Sequence, residues 1–132
     1  MVLVIDPAQT GLLKAFKPWE LHALNVVWES EDPVGSRDVH VETTERYLKT
    51  DEKPISRASI INFLNDMVTE GVLGIEYEAC KGGQRGLYYP LVNSDELIGM
   101  LIKSVVDSFN RDYPGIITLT VKPEILEAIQ RG

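Results

Sequence analysis

The amino-acid sequence predicts a mainly helical α+β fold, and three observations lead to that class. Apolar residues recur every three or four positions in several separate stretches, which is the spacing of amphipathic helices. Two short runs between Leu73 and Leu91 instead alternate between apolar and other residues, as strands do. A glycine-rich segment, KGGQRG, separates these two runs. The predicted order is therefore helices, then a β-hairpin, then further helices.

The first two helices follow from their apolar faces and their end signals. Pro18 suits a first helical position, so the first helix is expected from about Trp19 to Glu29. Ser36 is the predicted N-cap of the second helix. The apolar side of that helix is formed by Val39, Thr43 and Tyr47.

The third helix is predicted to start after a Ser56 cap and to end at Gly71. Its inward stripe consists of Ile60, Ile61, Leu64, Met67 and Val68. The residues off that stripe are polar: Arg57, Ser59, Asn62, Asn65 and Asp66. Serine and asparagine are weak helix formers, but their side chains can hydrogen-bond to base edges.

The hairpin should expose one face of each strand. Leu73, Ile75 and Tyr77 alternate in the first strand, and the alternation resumes in the second strand at Leu87, Tyr89 and Leu91. Lys81 and Arg85 then lie near the tip, where the glycines supply the backbone freedom that a turn requires.

The composition changes at about Asn93, where another helix is predicted. Its apolar face is broader than a solvent-exposed helix needs, which favours a contact with a second copy of the chain. The predicted dimerisation residues are Leu97, Leu101, Ile102, Val105 and Phe109.

Three helices followed by a hairpin is the order of a winged helix-turn-helix, in which the third helix enters the major groove of DNA and the hairpin reaches the backbone. The predicted domains are an N-terminal arm (1–17), a winged-helix DNA-binding domain (18–92) and a C-terminal dimerisation region (93–132). Predicted base contacts are Ser59, Asn62 and Asn65. Predicted phosphate contacts are Arg37, Lys53, Arg57, Lys81 and Arg85.

Composition limits the alternatives. The chain has 132 residues and a formal net charge of -7, which argues against coating of polyanions in general but allows a local basic face. Its one cysteine, Cys80, permits no internal disulfide and fits a reducing cytoplasm. The opening MVLVI is too short to cross a membrane. Acidic residues are absent between Lys53 and Asn65 and between Ala79 and Ser94, the two windows expected to face phosphate.

The sequence offers no catalytic set, and we therefore predict no enzyme, no cofactor and no metal. KGGQRG lacks the order GxxxxGK[ST] of a phosphate-binding loop, and it joins two strands instead of leading into a helix. His22 and His40 are isolated and read as ordinary surface residues.

Three segments resemble the penicillinase-repressor family of dimeric winged-helix repressors: LHALNVVWES, SIINFLNDMVTEGVL and GLYYPLV. The likeness extends from Trp19 to about Phe109. It implies a homodimer held together by C-terminal helices, with Ser59 and Asn62 contacting bases or phosphates and Asn65 nearby. The chain departs from the family at Asp66 and Glu70, where basic residues are common in its members. It also lacks a cysteine after Cys80, so copper sensing is not expected.

The leading prediction is thus a homodimeric DNA-binding regulator, acting as a repressor. Two alternatives stay open. The acidic net charge would suit a winged-helix adaptor that binds protein and no DNA. A regulator of the multiple-antibiotic-resistance type, with a small-molecule effector, would have the same element order.

Overall fold

The computed structural model describes residues 4–48 and 54–131. This part of the chain contains a short 3-10 helix (Gly11–Lys14), five α-helices and three strands. The helices are α1 (Pro18–Glu29), α2 (Ser36–Leu48), α3 (Arg57–Thr69), α4 (Ser94–Asp112) and α5 (Pro123–Arg131). The strands are β1 (Val34–Gly35), β2 (Leu73–Cys80) and β3 (Gly83–Pro90). The predicted α+β class is confirmed.

The three strands form one antiparallel sheet in the order β1-β3-β2. Helices α1 to α3 precede the β2–β3 hairpin, which is the arrangement of a winged helix. We call this hairpin the wing. The described residues divide into two compact units, with the break between Leu91 and Val92.

The core of the first unit is built from the predicted helix faces. The side chains that are fully buried include Leu24 and Val27 of α1, Val39 and Thr43 of α2, and Ile60, Leu64 and Met67 of α3. Residues three and four apart lie on the same side of a helix, so each helix contributes one stripe to this core. Phe63 was not part of the predicted stripe, yet it is also buried. The rings of Phe16 and Trp19 each pack against it in a T-shaped arrangement, at centroid distances of 6.1 and 5.6 Å.

Local signals set the ends of α3 as predicted. The Ser59 backbone N–H donates to Ser56 Oγ at 3.1 Å, which satisfies one of the unpaired N–H groups of the first turn. At the other end, Gly71 has a φ of +80°, a conformation that glycine adopts without steric cost. Ser36 was predicted as the N-cap of α2, but it is the first residue of that helix, so the prediction differs from the structure by one position.

The buried residue of β3 is not one of those in the alternation read from the sequence. Tyr88 is buried, whereas Leu91, which was expected to share a face with Leu87 and Tyr89, is 47% exposed. Residues paired across an antiparallel ladder share a face, and the register pairs Tyr88 with Ile75. The inward face of β3 is therefore the one that carries Tyr88.

The second unit contains α4 and α5. The Glu96 N–H donates to Asn93 Oδ1 at 2.8 Å, and the Asn93 N–H donates to Glu96 Oε1 at 3.0 Å, so the predicted start of this helix has a reciprocal cap. Gly99 lies against Ile125 of α5, and a Cβ at this position would overlap the isoleucine. The run from Ile116 to Val121, whose type the sequence left open, forms neither a helix nor a strand.

Candidate nucleic-acid interface

The side of α3 that faces away from the core is polar, as predicted. Arg57, Asn62 and Asn65 are exposed, and Ser59 and Asp66 are half-buried. They are turned outward because Ile60, Leu64 and Met67 hold the opposite face of the same helix in the core. The helix therefore presents a row of hydrogen-bonding groups to solvent.

Three arginines from three different elements meet beside α3. Arg37 comes from the first turn of α2, Arg57 from the first turn of α3 and Arg85 from the wing, and all three line one cleft of about 650 Å³. Its lining also includes Ser36 and Asp38. Sequence positions about 20 to 50 residues apart thus contribute to one surface, which we call the arginine cleft, and each arginine had been predicted to contact phosphate.

The predicted phosphate contacts differ in whether they form an ion pair. Within the described residues, the side chains of Arg37, Arg57 and Lys81 are exposed and form no ion pair. Arg85 instead donates from Nε and Nη2 to Oε1 of Glu78, at 2.8 and 2.5 Å. This hydrogen bond, together with the charge of Glu78, raises the pKa of the Arg85 guanidinium. Lys53, the remaining predicted phosphate contact, lies outside the described residues.

The segment between Ala79 and Ser94 contains no acidic residue, but in three dimensions an acidic side chain lies beside it. Glu78 precedes that segment in sequence, but the register places it directly across from Arg85. A two-residue turn, Lys81–Gly82, determines this pairing, because residues equally distant from the turn face each other. The pair follows from the sequence only once the turn is known to be Lys81–Gly82, whereas the whole of KGGQRG was expected to separate the strands.

The three predicted base contacts are not equivalent. Asn62 is exposed, and its carboxamide has no hydrogen-bond partner among the described residues. The carboxamide oxygen of Asn65 accepts a hydrogen bond of 2.7 Å from the Tyr88 hydroxyl, whose own pKa is raised by burial and then by Tyr77. The hydroxyls of Ser59 and Ser56 lie 2.9 Å apart at the helix cap. Only Asn62 thus keeps both its donor and its acceptor for the two-bond contact that asparagine makes with adenine.

The predicted dimerisation residues divide into two groups. Leu97 and Leu101 are buried within the single chain, whereas Ile102, Val105 and Phe109 are 42%, 36% and 54% exposed. The two leucines therefore cannot supply a surface for a second copy. Ile98, which was not among the predicted contacts, is 45% exposed. With it, the exposed residues recur at spacings of four, three and four, which places them along one line of the helix. We call Ile98, Ile102, Val105 and Phe109 the α4 stripe.

The part of the chain that the structure describes contains no group of three or more His, Cys, Asp or Glu residues that could hold a metal ion. Across that part, no helix is long and apolar enough to cross a membrane. The ring nitrogen Nε2 of His40 lies 2.8 Å from the carbonyl oxygen of Ile55, so this histidine contacts the connection before α3. Cys80 is an exposed free thiol.

The fold and the polar face of α3 define the chain as a winged-helix protein in architecture. Comparison with family models gives no match, and comparison with curated proteins gives none either. Nothing in these comparisons supports membership of the penicillinase-repressor family, which stays a resemblance.

Among solved structures, a similar chain is the ferric uptake regulator Fur of Helicobacter pylori, whose structure has three functional metal-binding sites. The similarity has a TM-score of 0.37 and 12% sequence identity, and it covers 78% of this chain and 74% of that one. A likeness at this level does not indicate a function.

Proposed function

We propose that the chain is a DNA-binding transcriptional regulator that acts as a homodimer and reads its operator with α3 and the wing. The observation that carries the proposal is the arginine cleft, in which Arg37, Arg57 and Arg85 converge beside the exposed polar face of α3. A guanidinium group suits the phosphate backbone because it is always charged and its donors match phosphate oxygens in pairs.

Within this proposal the two kinds of contact have separate roles. Arg37 and Arg57, together with Lys81 at the wing tip, fix the protein on the sugar-phosphate backbone and carry no sequence information. Asn62 reads a base edge in the major groove. Ser59 is assigned to the helix cap, and Asn65 holds the wing against α3 through Tyr88. Lys53 stays a proposed phosphate contact.

The proposed homodimer forms through the α4 stripe. Four exposed apolar side chains along one line of a helix are unfavourable in water, and a second copy of the same stripe covers them symmetrically. Such a dimer would present two copies of α3 to two half-sites, which explains why dimerisation and operator binding belong together. Repression would then follow from occupation of the operator, and action on cellular DNA agrees with the predicted cytoplasmic location.

Selection from a random duplex pool, followed by gel-shift titration of the enriched sequence, tests the proposal. We expect an enriched sequence, and we expect Arg57→Ala to weaken binding to the operator and to random duplex alike. The salt slope should fall by about 1 per protomer, because one phosphate contact is lost.

Arg46→Ala is the matched control for this variant. Arg46 is paired with Glu29 at 2.5 Å and does not line the cleft, so its removal deletes the same charge elsewhere in the first unit. If no sequence is enriched even at low salt, the regulator proposal is wrong. The net charge of -7 would then favour the protein-binding adaptor.

A further inference from the structure

Arg85 of the arginine cleft is paired with an acidic residue of the same chain. Arg85 and Glu78 face each other across the two strands of the wing, and both Nε and Nη2 of Arg85 donate to one carboxylate oxygen. The two side chains are 55% and 46% exposed, so either partner can exchange with solvent or with a ligand. Glu78 therefore occupies the donors that a phosphate oxygen would otherwise take.

We propose that Glu78 is an internal counter-ion that stands in for a backbone phosphate on Arg85 and thereby limits the affinity of the wing for DNA of any sequence. The inference rests on the proposed function, because it concerns how strongly that same surface binds DNA. Carboxylate and phosphate oxygens accept the same guanidinium donors, so one replaces the other without a change in the arginine.

The exchange has a defined consequence for salt dependence. While Glu78 holds Arg85, the guanidinium neutralises no phosphate, so the net release of counterions from DNA at this position is close to zero. Without the carboxylate, Arg85 can bind a phosphate and release about one cation per protomer.

The chain offers a matched control for this residue. Glu76 and Glu78 belong to the same strand, two positions apart, and therefore lie on the same face. Glu76 is paired across the ladder with Leu87, which cannot bind a carboxylate, and it forms no ion pair among the described residues. Glu78→Gln and Glu76→Gln therefore remove the same charge from the same surface, but only the first releases Arg85.

The experiment is titration of a short random-sequence duplex with the full chain at salt concentrations between about 50 and 200 mM. We expect Glu78→Gln to bind about two- to fivefold more tightly than Glu76→Gln at the low-salt end, which is the range for an exposed ion pair. Its salt slope should be steeper by about 1 per protomer. In an Arg85→Ala background, Glu78→Gln should lose its advantage over Glu76→Gln.

The outcomes separate this inference from the proposed function. If the wild-type chain binds duplex but the two glutamine variants behave alike, Glu78 acts only through net charge and the inference is wrong while the function stands. The inference is also wrong, while the function stands, if Glu78→Gln still binds duplex more tightly than Glu76→Gln in the Arg85→Ala background. If the wild-type chain binds no duplex at all, both are wrong. Thermal melts of each variant verify that the fold is kept.

Discussion

Thr43 and Thr44 of α2 each have a buried hydroxyl without a hydrogen-bond partner among the described residues, and Thr43 is the one whose whole side chain is buried. Its hydroxyl is fully buried between the positions of Val39 and Tyr47 on the inward face, and it has no hydrogen-bond partner within the described residues. An unpaired hydroxyl loses its water on folding and gains nothing in return.

We therefore expect Thr43→Val, which keeps the shape of the side chain, to raise the free energy of unfolding by about 1 kcal/mol. Urea titration followed by circular dichroism measures this change. Thr69→Val is the control, because the Thr69 hydroxyl donates to the Asn65 carbonyl oxygen at 3.2 Å and its loss should bring no gain. A destabilised Thr43→Val variant would show that the hydroxyl is hydrogen-bonded in solution.

Asn62 is the side chain on which sequence recognition should depend most. It is exposed on α3, and none of the described residues occupies its carboxamide. We expect Asn62→Ala to reduce the preference for the selected operator over random duplex by about 1–3 kcal/mol, the value of one good base contact.

Competition gel shifts with both duplexes measure this preference directly. Binding to the random duplex is the internal control and should change little, because Asn62 carries no charge. An unchanged preference in the alanine variant would mean that α3 is not docked with Asn62 toward the bases.

Among the elements, α4 is the one whose exposed stripe is proposed to hold the dimer together, and a charge placed in the stripe tests this. Ile102→Asp places a charge in the middle of four exposed apolar residues, and a dimer that buries them would have to bury the charge as well. We expect this variant to be monomeric in light scattering at concentrations where the wild-type chain is dimeric.

Ser104→Asp is the control for the stripe. Ser104 is exposed on the same helix but off the line of the stripe, so it adds the same charge without entering the proposed interface. A wild-type chain that is monomeric, or an Ile102→Asp variant that stays dimeric, would remove α4 from the interface.

The wing shows how one element can be predicted while its orientation is not. Both strands and their turn were expected, since alternation and glycine position are local properties of the sequence. Alternation alone did not identify the inward face of β3, because Leu87, Tyr88, Tyr89 and Leu91 are all apolar enough to be buried. The choice was made by the register with β2 and by the hydrogen bond from Tyr88 to Asn65.

For the whole molecule, the distribution of charge matters more than its sum. The net charge is -7, yet Arg37, Arg57 and Lys81 have no carboxylate partner among the described residues. With Arg85 offset by Glu78, these three would make about six phosphate contacts per dimer. We therefore expect log K for random duplex to fall with log salt at a slope of about -5, at about 0.9 per contact.

Fluorescence anisotropy across a salt series gives this slope. A slope near zero would mean that phosphate contacts do not hold the protein on DNA, and it would favour the adaptor. A slope much steeper than predicted would mean that further cations take part, and Lys53, outside the described residues, would be the first to test by substitution.

The sequence by itself determined the features that arise from neighbours along the chain. Most of the helix faces, the Ser56 cap, the Gly71 helix end and a glycine-rich turn between two strands each depend on residues a few positions apart, and these were predicted. For α4 the sequence offered Asn93 or Ser94 as the cap, and the structure has Asn93. Their physical basis is the short range of backbone hydrogen bonding and of side-chain periodicity.

Only the tertiary structure decided which side chains are engaged by other residues of the chain and which are available to bind another molecule. It paired Arg85 with Glu78, engaged Asn65 with Tyr88, buried Leu97 and Leu101, and gathered three distant arginines in one cleft. These outcomes depend on strand register and on the packing of one element against another. A local pattern marks a residue as polar or apolar, but it does not specify the partner that the residue meets.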